Sequence, residues 1–170
     1  MVLAAVLVAI ALLGFAAWRD VATRTIPDEV SIALAVIGIA MRGSQGIEAL
    51  AYSVAAALLL GGVLVFLHGR GFLGGGDVKL ATALAVGLAP LDVWNLVVAV
   101  AFAGGVLGLL YLALQRLLPD GAPTSGRRAR GTPGRLWAVE SWRIRRRGPL
   151  PYGVAIAAGG TIVLLQTTAS

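Results

Sequence analysis

Two aspartates, Asp20 and Asp77, stand at the edges of long apolar stretches. A carboxylate held beside a bilayer core is costly, so each is a functional candidate by default. Two carboxylates a few ångström apart do not both ionise readily; they share a proton and titrate as a unit. One member of such a pair takes a proton from water while the other gives one to a substrate carbonyl, which is the chemistry of aspartic peptide hydrolysis. Taken singly, each has a plainer explanation. Asp20 reads as a boundary residue paired with Arg19 or Arg24, and Asp77 as a helix N-cap after a glycine turn. The other acids, Asp28, Glu29, Glu48, Asp92, Asp120 and Glu140, fall at span ends or in loops. Asp28 and Glu29 follow Pro27 and suit the first turn of a helix, where the helix dipole favours anions.

The surroundings of Asp77 add to its case. Residues 71–80 read GFLGGGDVKL, with Lys79 two positions after the acid. Glycines permit backbone angles closed to other residues and let a second strand approach closely. A glycine-lined turn beside an acid suits an extended peptide substrate, although GGGD by itself is a weak signal.

The elements that must position these acids are membrane helices. The chain is 58% hydrophobic and only 13% charged, with a mean hydropathy of +0.88. Apolar runs approaching 20 residues point to transmembrane helices, not to the short alternating segments of a β-barrel. We expect an all-α membrane protein forming a single domain over residues 1–170. Six spans are expected, at 2–18, 28–42, 47–67, 78–90, 93–115 and 150–167. Pro90, Asp92 and Asn95 predict a break in the long apolar tract after Leu80. The first span lacks a basic flank on its N-terminal side and reads as a retained helix, not a cleaved signal.

Charge sets the orientation. With six spans and the N-terminus outside, thirteen of the fourteen Lys and Arg fall inside and only Arg42 falls outside. Five spans separate the charges less cleanly, so the positive-inside rule favours six, with both termini outside. Asp20 and Asp77 then share the cytoplasmic membrane face. The second and fourth spans are short, and each follows one of these acids. Short helices thin the bilayer or admit water, which hints at a wet cavity there.

The net charge of +6 is accounted for by cytoplasmic cations, without nucleic acid as a partner. Residues 116–149 read as a basic cytoplasmic loop before the last helix, flexible in its Pro/Gly/Ser-rich first half. In its second half, Trp137, Trp142 and several arginines suit a headgroup layer containing anionic lipid; the plainer alternative is a topogenic loop. Cysteine is absent and His68 is the sole histidine, so no metal site or cofactor is expected, and His68 reads as a hydrogen-bonded residue. Gly104 and Gly108 form a small-xxx-small pattern for close helix packing, within the fold or between protomers.

Three stretches resemble the type IV prepilin peptidases. Asp20 followed by ATRTIPDEV resembles the family's first-aspartate region. Residues 74–80, GGGDVKL, contain its Gly-x-Gly-Asp motif with the usual Val-Lys-Leu after it. Residues 150–155, LPYGVA, resemble the start of its last span. The resemblance implies an aspartic endopeptidase of the prokaryotic plasma membrane, with Asp20 and Asp77 as the catalytic pair and Gly74 and Gly76 shaping the motif turn. It implies a prepilin-like substrate, cut at the cytoplasmic boundary after a basic leader, in the service of type IV pili. Lys79 matches the motif, with two roles open: tuning the acid pair or binding lipid phosphate. Asp28 stands where the family often has asparagine. The larger members carry a cysteine-containing segment associated with methyl transfer, so peptidase activity without methylation is expected here, as in the short tight-adherence (Flp-type) or preflagellin branches. A basic leader approaching a basic face is expected to be drawn in by Asp28 and Glu29. The reading from a different class is a small transporter or ion-conducting protein, in which intramembrane acids relay protons or bind cations.

Overall fold

The computed structural model describes residues 2–117 and 150–169. Among them it is wholly helical, with six helices: α1 (Val2–Thr23), α2 (Asp28–Gly43), α3 (Ile47–Gly69), α4 (Gly75–Val86), α5 (Pro90–Leu117) and α6 (Tyr152–Ala169). The expected segments are all present, with ends that differ for local reasons. Helix α1 runs five residues past its expected end. It stops at Arg24, which adopts the left-handed conformation (φ 57°) while its N–H bonds back to the Asp20 carbonyl at 2.9 Å. That is an αL cap usually given to glycine. For arginine it costs roughly 1–2 kcal/mol. Helix α4 ends at Val86 with Gly87 as its C-cap, and Pro90 opens α5, so the long apolar tract is indeed two helices. Proline suits this first position because its missing N–H would have had no helical partner.

Helices α1, α3 and α5 are long and apolar enough to cross a membrane, over Leu3–Thr23, Ile47–Gly69 and Pro90–Leu117. Their outer faces carry large bare side chains: Leu59 and Phe102 are each 77% exposed. Apolar surface on this scale is unfavourable in water and ordinary in lipid.

Helix α4 is the axis of the packing. At 12 residues it is about 18 Å long, and it packs against α2, α3 and α6. Val78, Leu80, Ala81, Ala83, Leu84 and Ala85 are buried around its circumference, so it shows no single apolar stripe. Leu13 and Ala16 of α1 and Ile156 and Val163 of α6 complete the core around it. Gly104 and Gly108 face neighbours within the fold. A methyl group at Gly104 would lie 3.4 Å from the Tyr152 ring, and one at Gly108 would lie 3.9 Å from Leu150. Both would be ordinary contacts, so the two glycines face the start of α6 without being required there. The expected basic loop, with Trp137 and Trp142, lies at 118–149 outside the described residues.

Candidate active site

Asp20 sits one turn before the end of α1 and is 7% exposed. Its Oδ2 accepts the Gly153 N–H at 2.9 Å in a buried hydrogen bond. Gly153 is the second residue of α6, so this N–H is one of the donors that a helix start leaves without an internal partner. The acid and the positive end of the helix dipole therefore meet. A side chain on Gly153 would place Cβ 2.9 Å from both Cβ and Oδ2 of Asp20 and 3.1 Å from its Cγ. Only glycine leaves the carboxylate in place.

Asp77 is the third residue of α4, after Gly74 as N-cap. It is therefore not the cap itself. Its carboxyl turns back over the helix start, where a Cβ on Gly74 would come 2.9 Å from Asp77 Oδ2, and the Gly74 backbone hydrogen-bonds to it. This is the acidic half of a capping box. Asp20 and Arg24 both lie within electrostatic reach of Asp77. Two acids from distant parts of the chain thus share one end of the bundle, with a cation beside them.

The glycines of the motif contact the protein itself. Gly76 packs closely on Ile26 of the α1–α2 connection, where an added Cβ would lie 3.3 Å from the Ile26 Cβ, and a Cβ on Gly75 would lie 3.6 Å from the His68 ring. Ile26 and Gly76 thereby bring together the two segments that carry the acids. His68 Nδ1 stands 2.7 Å from the Leu73 carbonyl. A carbonyl only accepts, so Nδ1 carries the proton and His68 clasps the turn before α4. That turn needs Gly71, whose φ is +80°. The expectation of a hydrogen-bonded histidine is met. Among the described residues, no three His, Asp or Glu side chains gather as a metal site.

Lys79 and Asp28 meet each other. Lys79 Nζ lies 2.8 Å from both oxygens of Asp28 and ties α4 to the first turn of α2. Their side chains are 57% and 60% exposed. An ion pair so open contributes roughly 0–1 kcal/mol. Lys79→Gln should therefore lower the thermal midpoint of the purified protein by no more than a few degrees, and added salt should produce a similar small loss in the wild type. Glu29 stays exposed beside the pair.

A cleft of about 540 Å³ opens onto Asp77 between α3, α4, α5 and α6. Its walls are apolar or glycine, including Leu64, Val100, Gly104 and Gly105, and Tyr152 closes the α6 side. Asp77 is the acid in this lining. Gly153 and Tyr152 stand in the LPYGVA stretch, whose sequence assigns neither of them a role. The one signal pointing to them was a Pro-Tyr-Gly run at a helix start.

The arrangement defines a helical membrane protein in which two acids from α1 and α4 converge beside an apolar cleft. The chain matches the type IV leader peptidase family over residues 7–113, more than half of its length, and it belongs to that family. The matched region holds both Asp20 and Asp77 and ends four residues short of the end of α5. No curated protein and no solved structure gives a significant match.

Proposed function

We propose that this protein is an intramembrane aspartic endopeptidase that removes the basic leader of type IV prepilin-like precursors. The observation that carries the reading is the convergence of Asp20 and Asp77, from helices far apart in the chain, beside a cleft of membrane character. Family membership supplies the peptidase class.

In the proposed reaction the two carboxyls hold one proton and a water between them. Asp20 Oδ2 is already an acceptor from Gly153, so the shared proton resides on Asp20 Oδ1 or on Asp77. The ionised member takes a proton from the water as its oxygen attacks the scissile carbonyl carbon. The protonated member gives its proton to the carbonyl oxygen, and a gem-diol forms. The diol then collapses: the C–N bond breaks, the leaving nitrogen takes the proton gained from water, and a diol hydroxyl returns the other. The pair ends as it began.

The rest of the site fits such a substrate. Its apolar helix lies in the cleft between α3 and α5, and its scissile bond reaches Asp77 at the cleft end. The basic leader remains at the cytoplasmic face, near Glu29 and Asp28, in the six-span arrangement with both termini outside. Replacing Asp28 and Glu29 together by Asn and Gln should slow processing of basic leaders and spare neutral ones. Anionic lipid at the 116–149 loop would offset that loop's repulsion of the leader.

The test is mass spectrometry of a co-expressed Flp-type prepilin, with the wild-type protein and with Asp77→Asn. We expect one new N-terminus just after the basic leader, without added methyl mass, and intact precursor with the variant. Intact precursor in both cases, with the two proteins at equal levels in the membrane, would sink the assignment.

A further inference from the structure

Among the described residues, Arg24 is the one residue other than glycine with a positive φ. A helix end in this conformation ordinarily carries glycine or asparagine, which enter the left-handed region at little cost. Strain kept at a single residue points to a reason for that residue type. The neighbouring backbone shows how firmly it is kept. The Arg24 N–H bonds to the Asp20 carbonyl, so the turn is built on the first acid itself. On one side, Thr23 Oγ1 donates to the Arg19 carbonyl at 2.9 Å and lies 2.8 Å from Thr25 Oγ1. On the other, Ile26 packs on Gly76 at the start of α4.

The guanidinium does not extend into water. Its Nε and Nη1 are buried, and its charge acts on Asp77. The plainer account is a cation favoured by the dipole at the end of α1. An exposed side chain in the last turn would serve that purpose without a strained backbone or a buried head group. The other charged groups around the start of α4 are engaged elsewhere. Lys79 pairs with Asp28, on the side of α4 away from Asp77. Arg70 of α3 sits over the Phe66 ring at 4.6 Å, and His68 clasps the Leu73 carbonyl. Glu29 of α2 is exposed, and Arg19 stands about 100° around α1 from Asp20. Tyr152 is the titratable group that α6 brings to the cleft.

We propose that Arg24 is a positioning residue that keeps the aspartate pair singly ionised, and that the left-handed turn is retained because it delivers the guanidinium to that place. The inference rests on the peptidase reading. Two carboxyls drawn out of water favour their protonated forms. A pair holding two protons has no base with which to activate water. A fixed positive charge beside the pair favours the loss of one proton, and one guanidinium balances one carboxylate. Arg24 thus acts through the acids and not on the substrate. It does so from the turn that also closes the α1–α2 connection over α4, so the charge and the second acid are placed by the same few residues.

The test compares the purified full chain with Arg24→Gly, Arg24→Asn and Arg24→Lys, reading leader cleavage across pH and the unfolding midpoint. Glycine and asparagine remove the charge and relax the backbone, so their midpoints should equal or exceed that of the wild type. Their cleavage bell should move to higher pH by about one unit, because a carboxyl that loses a neighbouring cation holds its proton more tightly. On the acid limb this is about tenfold slower cleavage at a fixed pH. Arg24→Lys keeps the charge, so its bell should stay near the wild-type position. An unmoved bell in Arg24→Gly and Arg24→Asn, with wild-type cleavage intact, overturns this inference alone. So does a displacement as large in Arg24→Lys, or a lowered midpoint in both uncharged variants, which would make Arg24 a structural cap. A wild type that cleaves at no pH removes the peptidase reading and this inference with it.

Discussion

Asp20→Asn and Asp77→Asn, each alone, should lower the rate of leader cleavage by at least about a thousandfold, within the range that positioned acid–base groups contribute. Asparagine keeps the size of the side chain and an acceptor oxygen, so in Asp20→Asn the Gly153 N–H retains a partner. Both variants should therefore fold, with helical content and thermal midpoint close to the wild type. What they lose is a proton that can move. The double variant should be no slower than either single one, because the pair acts as a unit and its deletions do not add. The wild-type rate should follow a bell in pH, falling on the acid side as both members become protonated and on the alkaline side as both ionise. Cleavage assayed in detergent or liposomes at saturating substrate reads all of these. Wild-type turnover by either single variant would end the two-aspartate mechanism. A transporter using the same acids would show lost ion flux in these variants and no cleavage in the wild type.

How far the chain reveals this arrangement depends on the range of each interaction. The six apolar segments, the break near Pro90 and the short fourth helix are local signals, and they survive in the structure. The candidacy of Asp20 and Asp77 also rests on local facts: acids where acids are costly, and an asymmetric distribution of cations. Helix ends were less legible. The cations at Arg19 and Arg24 end the apolar run of α1, but the helix continues to Thr23 because its backbone is satisfied until the αL turn at Arg24. The glycines at 75 and 76 look like a turn, yet they form the first turn of α4, because the Asp77 carboxyl folds back on the helix start and the α1–α2 connection closes over Gly76 through Ile26. Contacts between distant residues were not legible at all. Nothing in the spacing of Lys79 and Asp28 announces their pairing across 51 positions, or that of Gly153 and Asp20 across 133.

Gly153→Ala carries the second large expected effect, and it separates positioning from chemistry. Its Cβ would stand 2.9 Å from Asp20 Oδ2, closer than side chains tolerate. The neighbouring atoms are the stem and head of a short, buried acid, which has little freedom to swing aside. Either Asp20 turns away from the N-terminus of α6, or the helix start retreats and the 2.9 Å hydrogen bond lengthens. A catalytic group misplaced by about 1 Å costs on the order of a hundredfold in rate. Overpacking a tight interior also costs about 1–3 kcal/mol in stability. Both acids remain, so Gly153→Ala should keep residual, pH-dependent cleavage that the aspartate variants lack, with the bell displaced because Asp20 has lost its donor. Gly14→Ala is the matched comparison: this helical glycine has nothing within 4 Å of a new Cβ. It should gain about 0.5 kcal/mol from the better helix former and cleave at the wild-type rate. If Gly153→Ala also cleaves at the wild-type rate with an unmoved pH profile, the contact between α6 and Asp20 plays no part in setting the geometry of the acid pair.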